Sequence, residues 1–293
     1  MRVFVTGASG FVGSAVANDL IAAGIQVLGL VRSQASAEKL KDSGAEILIG
    51  DINDTEIIRK GATSCDAVIH TAFNHDFSRY KESCEDDRKV IEIFTDVLIG
   101  TQKPLVITSG VGILRSEKAI TEDDTPASST SVPRAASEEA AIEARSKGVK
   151  TYIVRLPIVH GKYDHGFIPI VIGMDKENGQ SGYIGDGLNR WPGVHRKDAA
   201  ILYRLIVEKQ PQQAVFHPVA EEGIPFKEIA RVISENTSLP LKRLTEDEAE
   251  AHFTWFKHFA AMDGYASSEK TKKVLGWKPQ QIGMLEDLSQ NYF

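Results

Sequence analysis

Directly behind a β-branched run at residues 3–6 stands Thr6-Gly7-Ala8-Ser9-Gly10-Phe11-Val12-Gly13, and a helical pattern over residues 11–23 follows at once. A strand-to-helix turn this tight needs a residue without Cβ. Its backbone N–H groups must come close to whatever the loop holds, and the last glycine lets the helix lie against the strand. Free N–H groups at a helix N-terminus favour an anion, and with a strand before and a helix after, that anion is the pyrophosphate of a dinucleotide. Gly7, Ser9, Gly10, Phe11, Val12 and Gly13 are therefore expected to bind a cofactor.

The same unit repeats along the chain. Strand-like runs at 3–6, 26–30, 46–49, 67–70, 105–108 and 151–155 alternate with helical patterns at 11–23, 35–43, 53–61, 82–100 and 137–147. Such alternation writes an α/β fold, a doubly wound parallel sheet of the Rossmann type whose ligand crevice opens at the carboxyl ends of the strands. Proline and glycine break the pattern after Arg155. Residues 1–157 are thus expected to form the dinucleotide-binding domain, rejoined by 191–218, where strands at 191–194 and 214–217 flank a helix at 198–208. Residues 158–190 and 219–293 remain for a smaller C-terminal lobe that binds substrate, with a capped helix starting at Thr245.

Composition narrows the function. The chain has 293 residues, 42% hydrophobic and 25% charged, which is globular usage. Lys+Arg 34 against Asp+Glu 40 gives a net charge of −6, contrary to the basic face of a nucleic-acid binder. Cys65 and Cys84 form no CxxC, and His75, His160, His165 and His195 show no paired spacing, so neither a disulfide framework nor a metal site is expected. No apolar run approaches the ~18 residues of a membrane span, and no signal-peptide pattern opens the chain. The expectation is a cytoplasmic protein acting on a small molecule, with a homodimer left open.

The GxxGxxG spacing resembles the short-chain dehydrogenase/reductase superfamily, and TGxxGFxG its extended, epimerase-like branch. Arg155-Leu156-Pro157 with Val159-His160-Gly161, and Val194-His195-Arg196-Lys197-Asp198-Ala199-Ala200, resemble further segments of that branch. The resemblance covers residues 1–218 and implies that Asp51 and Ile52 hold the adenine. It implies also that Thr71, Ala72 and Phe73 line the ribose and nicotinamide, with Thr108 and Pro157 beside them. Arg32 and Ser33 stand where an acidic residue would hold the ribose of NAD; a guanidinium and a hydroxyl suit a 2′-phosphate, so NADP is expected, with NAD as the alternative.

The superfamily's Tyr-x-x-x-Lys pair is absent, since none of the seven tyrosines has a lysine four residues on. Aligning Pro133-Arg134-Ala135-Ala136-Ser137-Glu138 on the family pattern puts Arg134 in the tyrosine slot and Glu138 in the lysine slot. Gly110 takes the serine slot, with Ser109 adjacent. The chain resembles the atypical members of the superfamily. Residues four apart share a helix face, so Arg134 and Glu138 are expected to pair in the crevice, with Arg134 stabilising charge on a substrate oxygen. A proton donor must then come from elsewhere, and His75 or His165, each beside an aspartate in a loop at a strand end, has suitable chemistry. Tyr183, Trp191 and Phe167 with Arg190 are either core or the lining of a substrate pocket. The reading is an oxidoreductase acting on a small carbonyl or imine; the alternatives are a cofactor-binding sensor and a sugar-nucleotide epimerase or dehydratase.

Overall fold

The computed structural model describes residues 1–116 and 118–293. In chain order the elements are β1 (Arg2–Thr6), α1 (Phe11–Ala22), β2 (Gln26–Val31), α2 (Gln34–Lys41), β3 (Glu46–Ile49), α3 (Thr55–Thr63), β4 (Ala67–His70), α4 (Tyr80–Leu98), β5 (Leu105–Gly110), α5 (Ala136–Ser146) and β6 (Thr151–Leu156). Then come β7 (Ile158–His160), α6 (Phe167–Asn178), β8 (Ser181–Ile184), β9 (Arg190–His195), α7 (Arg196–Lys209), β10 (Val215–Phe216) and β11 (Glu221–Pro225). The chain closes with α8 (Phe226–Thr237), β12 (Leu241–Leu244), α9 (Glu246–Phe253), α10 (Lys257–Ala260), α11 (Glu269–Leu275) and α12 (Met284–Asn291).

Seven strands form one parallel sheet in the order β10-β6-β5-β4-β1-β2-β3. Strand order reverses between β1 and β4, where Thr6 lies beside His70, so the crevice of a doubly wound sheet opens there. Both faces of the sheet are covered, which is why its strands read as continuous apolar runs. Val3 and Val5 turn to the layer containing α1 and α7, and Phe4 between them turns to the layer of α3, α4 and α5.

Beyond β6 the chain builds two further sheets, β11-β9-β7 and β12-β8. Residues 214–217 do return to the first sheet, as β10 beside β6. Residues 191–194 do not: β9 pairs with β7 and β11, because a β-branched run specifies a strand but not its partner. Trp191 belongs to the core of this region with Phe226, Phe253 and Phe256, and Phe167 packs on it, so these aromatics are core. Arg190 is held by both oxygens of Asp263 at 2.9 and 2.8 Å. The capped start at Thr245 is present as a full capping box with Glu248. Among the described residues no helix is long and apolar enough to cross a membrane.

His217, at the end of β10, is fully buried, and its Nδ1 donates to the Ser267 carbonyl at 3.0 Å. Burial first, then the Arg155 charge, push it down to about 4. The unfolded chain takes up this proton near pH 6.5 and the folded chain only near pH 4. The stability tied to the neutral ring is complete above pH 6.5 and falls as the pH drops towards 4, by about 3 kcal/mol in all. His217→Asn keeps an N–H donor without the charge. It is expected to lose correspondingly less stability than the parent between neutral pH and about pH 4, read from urea midpoints.

Candidate active site

At the carboxyl end of β1 the chain turns through Gly7 at φ +67°, and the Gly10 N–H donates to the Gly7 carbonyl at 2.8 Å. A Cβ on Gly7 would stand 2.9 Å from the Ala72 backbone, and one on Gly13 would stand 2.1 Å from the Gly7 oxygen. The loop, the first turn of α1 and the segment after β4 are thus pressed together with no room for a side chain. Gly10 caps α1 without a side-chain bond, and no acidic residue occupies the first turn, so its N–H groups are open to an anion. This cradle fits a dinucleotide pyrophosphate. Thr71 Oγ1 donates to the Thr6 carbonyl at 2.7 Å, fixing the start of the segment that includes Ala72 and Phe73.

The other cofactor candidates lie along the same edge. Asp51, past β3, is exposed, and its Oδ1 accepts from the Asn53 backbone and side-chain nitrogens at 2.9 and 2.8 Å, with Ile52 half-buried next to it. Arg32, past β2, is exposed, and among the described residues no carboxylate pairs with it. The Ser33 hydroxyl already serves α2 as its N-cap, accepting from the Ser36 N–H at 3.2 Å. Pro157 is buried where β6 gives way to β7.

The catalytic candidates are rearranged. Arg134 precedes α5, in a 3-10 turn at Pro133–Ala135, so the four-residue helical spacing to Glu138 does not apply. Glu138 is fully buried and binds Arg155 through both oxygens, at 2.8 and 2.7 Å. It neither meets Arg134 nor faces the crevice, which corrects the expected pair. Arg134 instead places Nη1 2.8 Å from Asp87 Oδ2 and against Ser137 Oγ, and Nη2 2.9 Å from the Thr108 carbonyl at the end of β5. Its guanidinium lies 4.1 Å over the Phe73 ring. Of five N–H donors, Nε–H and one on Nη2 have no acceptor among the described residues.

Asp87 is the hub. His70 Nε2 donates to its Oδ1 at 2.9 Å, Ser137 Oγ to its Oδ2, and His70 Nδ1 lies 2.7 Å from Thr6 Oγ1. Burial alone would raise this carboxyl, but the Arg134 charge and the bonds from His70 and Ser137 outweigh it and hold Asp87 well below the usual carboxylate range. Thr108 Oγ1 donates to the His70 carbonyl at 2.8 Å and so accepts from Tyr203 at 2.7 Å. Sequence reading missed Asp87 among the acids of α4. Its signal was position: it falls on the stripe of Cys84, Ile91, Phe94 and Leu98, all buried.

Ser109 is buried, its Oγ without a partner among the described residues, and a Cβ on Gly110 would be in ordinary contact with the Leu156 carbonyl at 3.6 Å. His75 and His165 both reach the crevice rim. His75 packs on Phe73 at 5.1 Å between centroids, and His165 on Phe11 at 5.8 Å. The neighbouring aspartate does not raise His75, because Asp76 caps the next turn through Ser78. His75 is exposed at the rim, and the water its ring loses against its neighbours, then the charges of Arg134 and His165, lower it.

The family model of the NAD dependent epimerase/dehydratase family matches residues 3–217, and the chain belongs to that family. An uncharacterized protein of Saccharomyces cerevisiae is 48% identical over 295 residues, covering 100% of this chain and 99% of its own. Sterol-4-alpha-carboxylate 3-dehydrogenase, decarboxylating, of Dictyostelium discoideum is 27% identical over 242 residues, covering 77% and 73%. Among solved structures, Pal from Bacillus thuringiensis superposes with a TM-score of 0.80 at 17% identity, over 98% of this chain and 96% of that one. UDP-glucuronic acid 4-epimerase from Bacillus cereus in complex with NAD gives 0.78 at 16%, over 100% and 96%.

Arg134→Ala leaves the Asp87 carboxylate buried without its cation and is expected to cost about 3–5 kcal/mol in urea unfolding. Adding Asp87→Asn removes the stranded charge and should recover part of that loss. Equal stability of Arg134→Ala and the parent would show that Asp87 does not depend on this pairing.

Proposed function

We propose that the protein is an NADP-dependent oxidoreductase that reduces a small carbonyl or imine, with Arg134 acting where the superfamily uses tyrosine. The observation that carries this reading is the Arg134 guanidinium. It is clamped by Asp87, Ser137 and the Thr108 carbonyl at the strand ends, with two N–H donors uncommitted among the described residues. Bound in the cradle, the dinucleotide supplies the hydride. Arg134 offers its free donors to the substrate oxygen, stabilising the negative charge that grows there. A guanidinium does not release a proton at working pH, so His75 delivers it. A histidine lowered by partial desolvation and by Arg134 holds its proton weakly and is the stronger acid for it.

Supply of cations also favours a small substrate over a sugar nucleotide. Arg190 is tied to Asp263, Arg204 to Asp19 and Glu208, and Arg196 holds Ser14 Oγ and the Lys162 carbonyl, so the supply is thin. The crevice wall is aromatic instead, where Phe77 after β4 meets Trp255 at 5.3 Å and Phe259 at 5.9 Å across from the second core.

Arg32 supports the choice of cofactor. NADPH is expected to bind more tightly than NADH, and Arg32→Glu to reverse the order, since a charge-assisted bond contributes about 1.5–3 kcal/mol. Calorimetric titration showing equal affinities in the parent refutes this.

The activity itself is tested by NADPH oxidation over a panel of aldehydes, ketones and imines. Arg134→Lys keeps a cation beside Asp87 but loses the fork, and is expected to lower turnover by about 10² with cofactor affinity little changed. The acid form of His75 exists only below a value under 6.5, so the reduction rate should fall as pH rises through that value. His75→Asn should remove this limb; if His165→Asn removes it instead, His165 is the donor. Firm NADPH binding without turnover on any substrate would make the protein a cofactor-binding sensor.

A further inference from the structure

Against the outer side of α1, between it and α7, lies a cavity of about 740 Å³ that takes no part in the reaction described above. Its size is that of a small-molecule site. Ala200 and Ile201 give it an apolar floor, and Lys162, Arg196 and Lys197 bring three cations to its wall. The two carboxylates that also reach it are already engaged, Asp19 by Arg204 at 2.8 Å and Asp287 by His160 at 2.7 Å. Among the described residues Lys162 and Lys197 have no carboxylate partner. Arg196 donates only to neutral oxygens, the Lys162 carbonyl at 3.1 Å and Ser14 Oγ at 2.9 Å.

Two further observations point to an anion. Arg196 and Lys197 are the first two residues of α7, a helix of 14 residues, where the aligned peptide dipoles already concentrate positive charge. Cations there oppose the dipole, and the acidic residue of that turn, Asp198, is buried and spends its two oxygens on the Gln280 and Gln281 N–H groups at 3.0 and 2.9 Å. Independently, His195 lines the same cavity while only 9% exposed. Its Nδ1 accepts from the Lys197 N–H at 3.2 Å, which leaves the proton of the neutral ring on Nε2. No group among the described residues accepts from that N–H, and a ligand oxygen would.

We propose that this cavity is a second ligand site, separate from the dinucleotide crevice, that takes a small organic phosphate ester. The phosphate meets Lys162, Lys197 and the start of α7, and the organic part covers the apolar floor. Arg196 links the site to the cofactor loop, because its guanidinium also lies 4.9 Å over the ring of Phe11 in the first turn of α1 and holds Ser14. A phosphate that draws Arg196 outward loosens these contacts, so ester and cofactor affect each other's affinity by the same factor.

The test is calorimetric titration of the NADPH-saturated protein with phenyl phosphate, the crevice being filled beforehand. One site per chain is expected. Lys162→Gln with Lys197→Gln, both exposed side chains, should weaken phenyl phosphate by about tenfold or more and leave NADPH affinity unchanged. Saturating phenyl phosphate should shift NADPH affinity in the parent but not in Arg196→Gln. No binding at millimolar phenyl phosphate, or equal binding by the double variant, overturns the site. Citrate binding more tightly than phenyl phosphate overturns the phosphate assignment, and an unshifted NADPH affinity overturns the link through Arg196.

Discussion

A single buried carboxylate sets the geometry of the strand ends. Asp87 of α4 receives His70 from β4, Ser137 from α5 and Arg134 from the turn before it, while His70 in turn meets Thr6 of β1. A charge removed from water is tolerated only when its lone pairs are filled, so each of these partners is fixed by the need of the others. The consequence reaches the cofactor loop, since Thr6 is the last residue of the strand that feeds it. The site is therefore a polar core in its own right, inserted between the two apolar layers of the sheet.

What could be read in the sequence divides along physical lines. The glycine loop was legible because backbone crowding leaves no alternative: Gly7 and Gly13 stand where any Cβ collides with backbone. Five of the six strand runs were legible because burial on both faces demands unbroken apolar residues, whereas β3, an edge strand with Glu46 and Ile49 exposed, was legible from its place in the alternation with helices. The partner of β9 was not legible, because strand pairing is decided by contacts distant in sequence. The Arg134–Glu138 reading failed for a local reason, as helical spacing was assumed to begin two residues before α5 does. Asp87 stayed hidden because α4 is rich in surface acids, and only its place on the buried stripe distinguishes it.

Family membership and site chemistry are separate levels of description here. Membership rests on the match over residues 3–217 and on a shared fold. The cradle fits a dinucleotide, and beside it stand a guanidinium clamp at Arg134 and a buried ion pair between Glu138 and Arg155.

The pairing of Glu138 with Arg155 constrains how the chain can be changed. A lysine at position 138 would set two cations face to face in a space from which water is excluded, and removing Glu138 alone would strand Arg155. No single change of charge at position 138 leaves both members of this pair satisfied. Any redesign that puts a cation at position 138 must therefore change position 155 with it, so the two positions behave as a single unit of sequence.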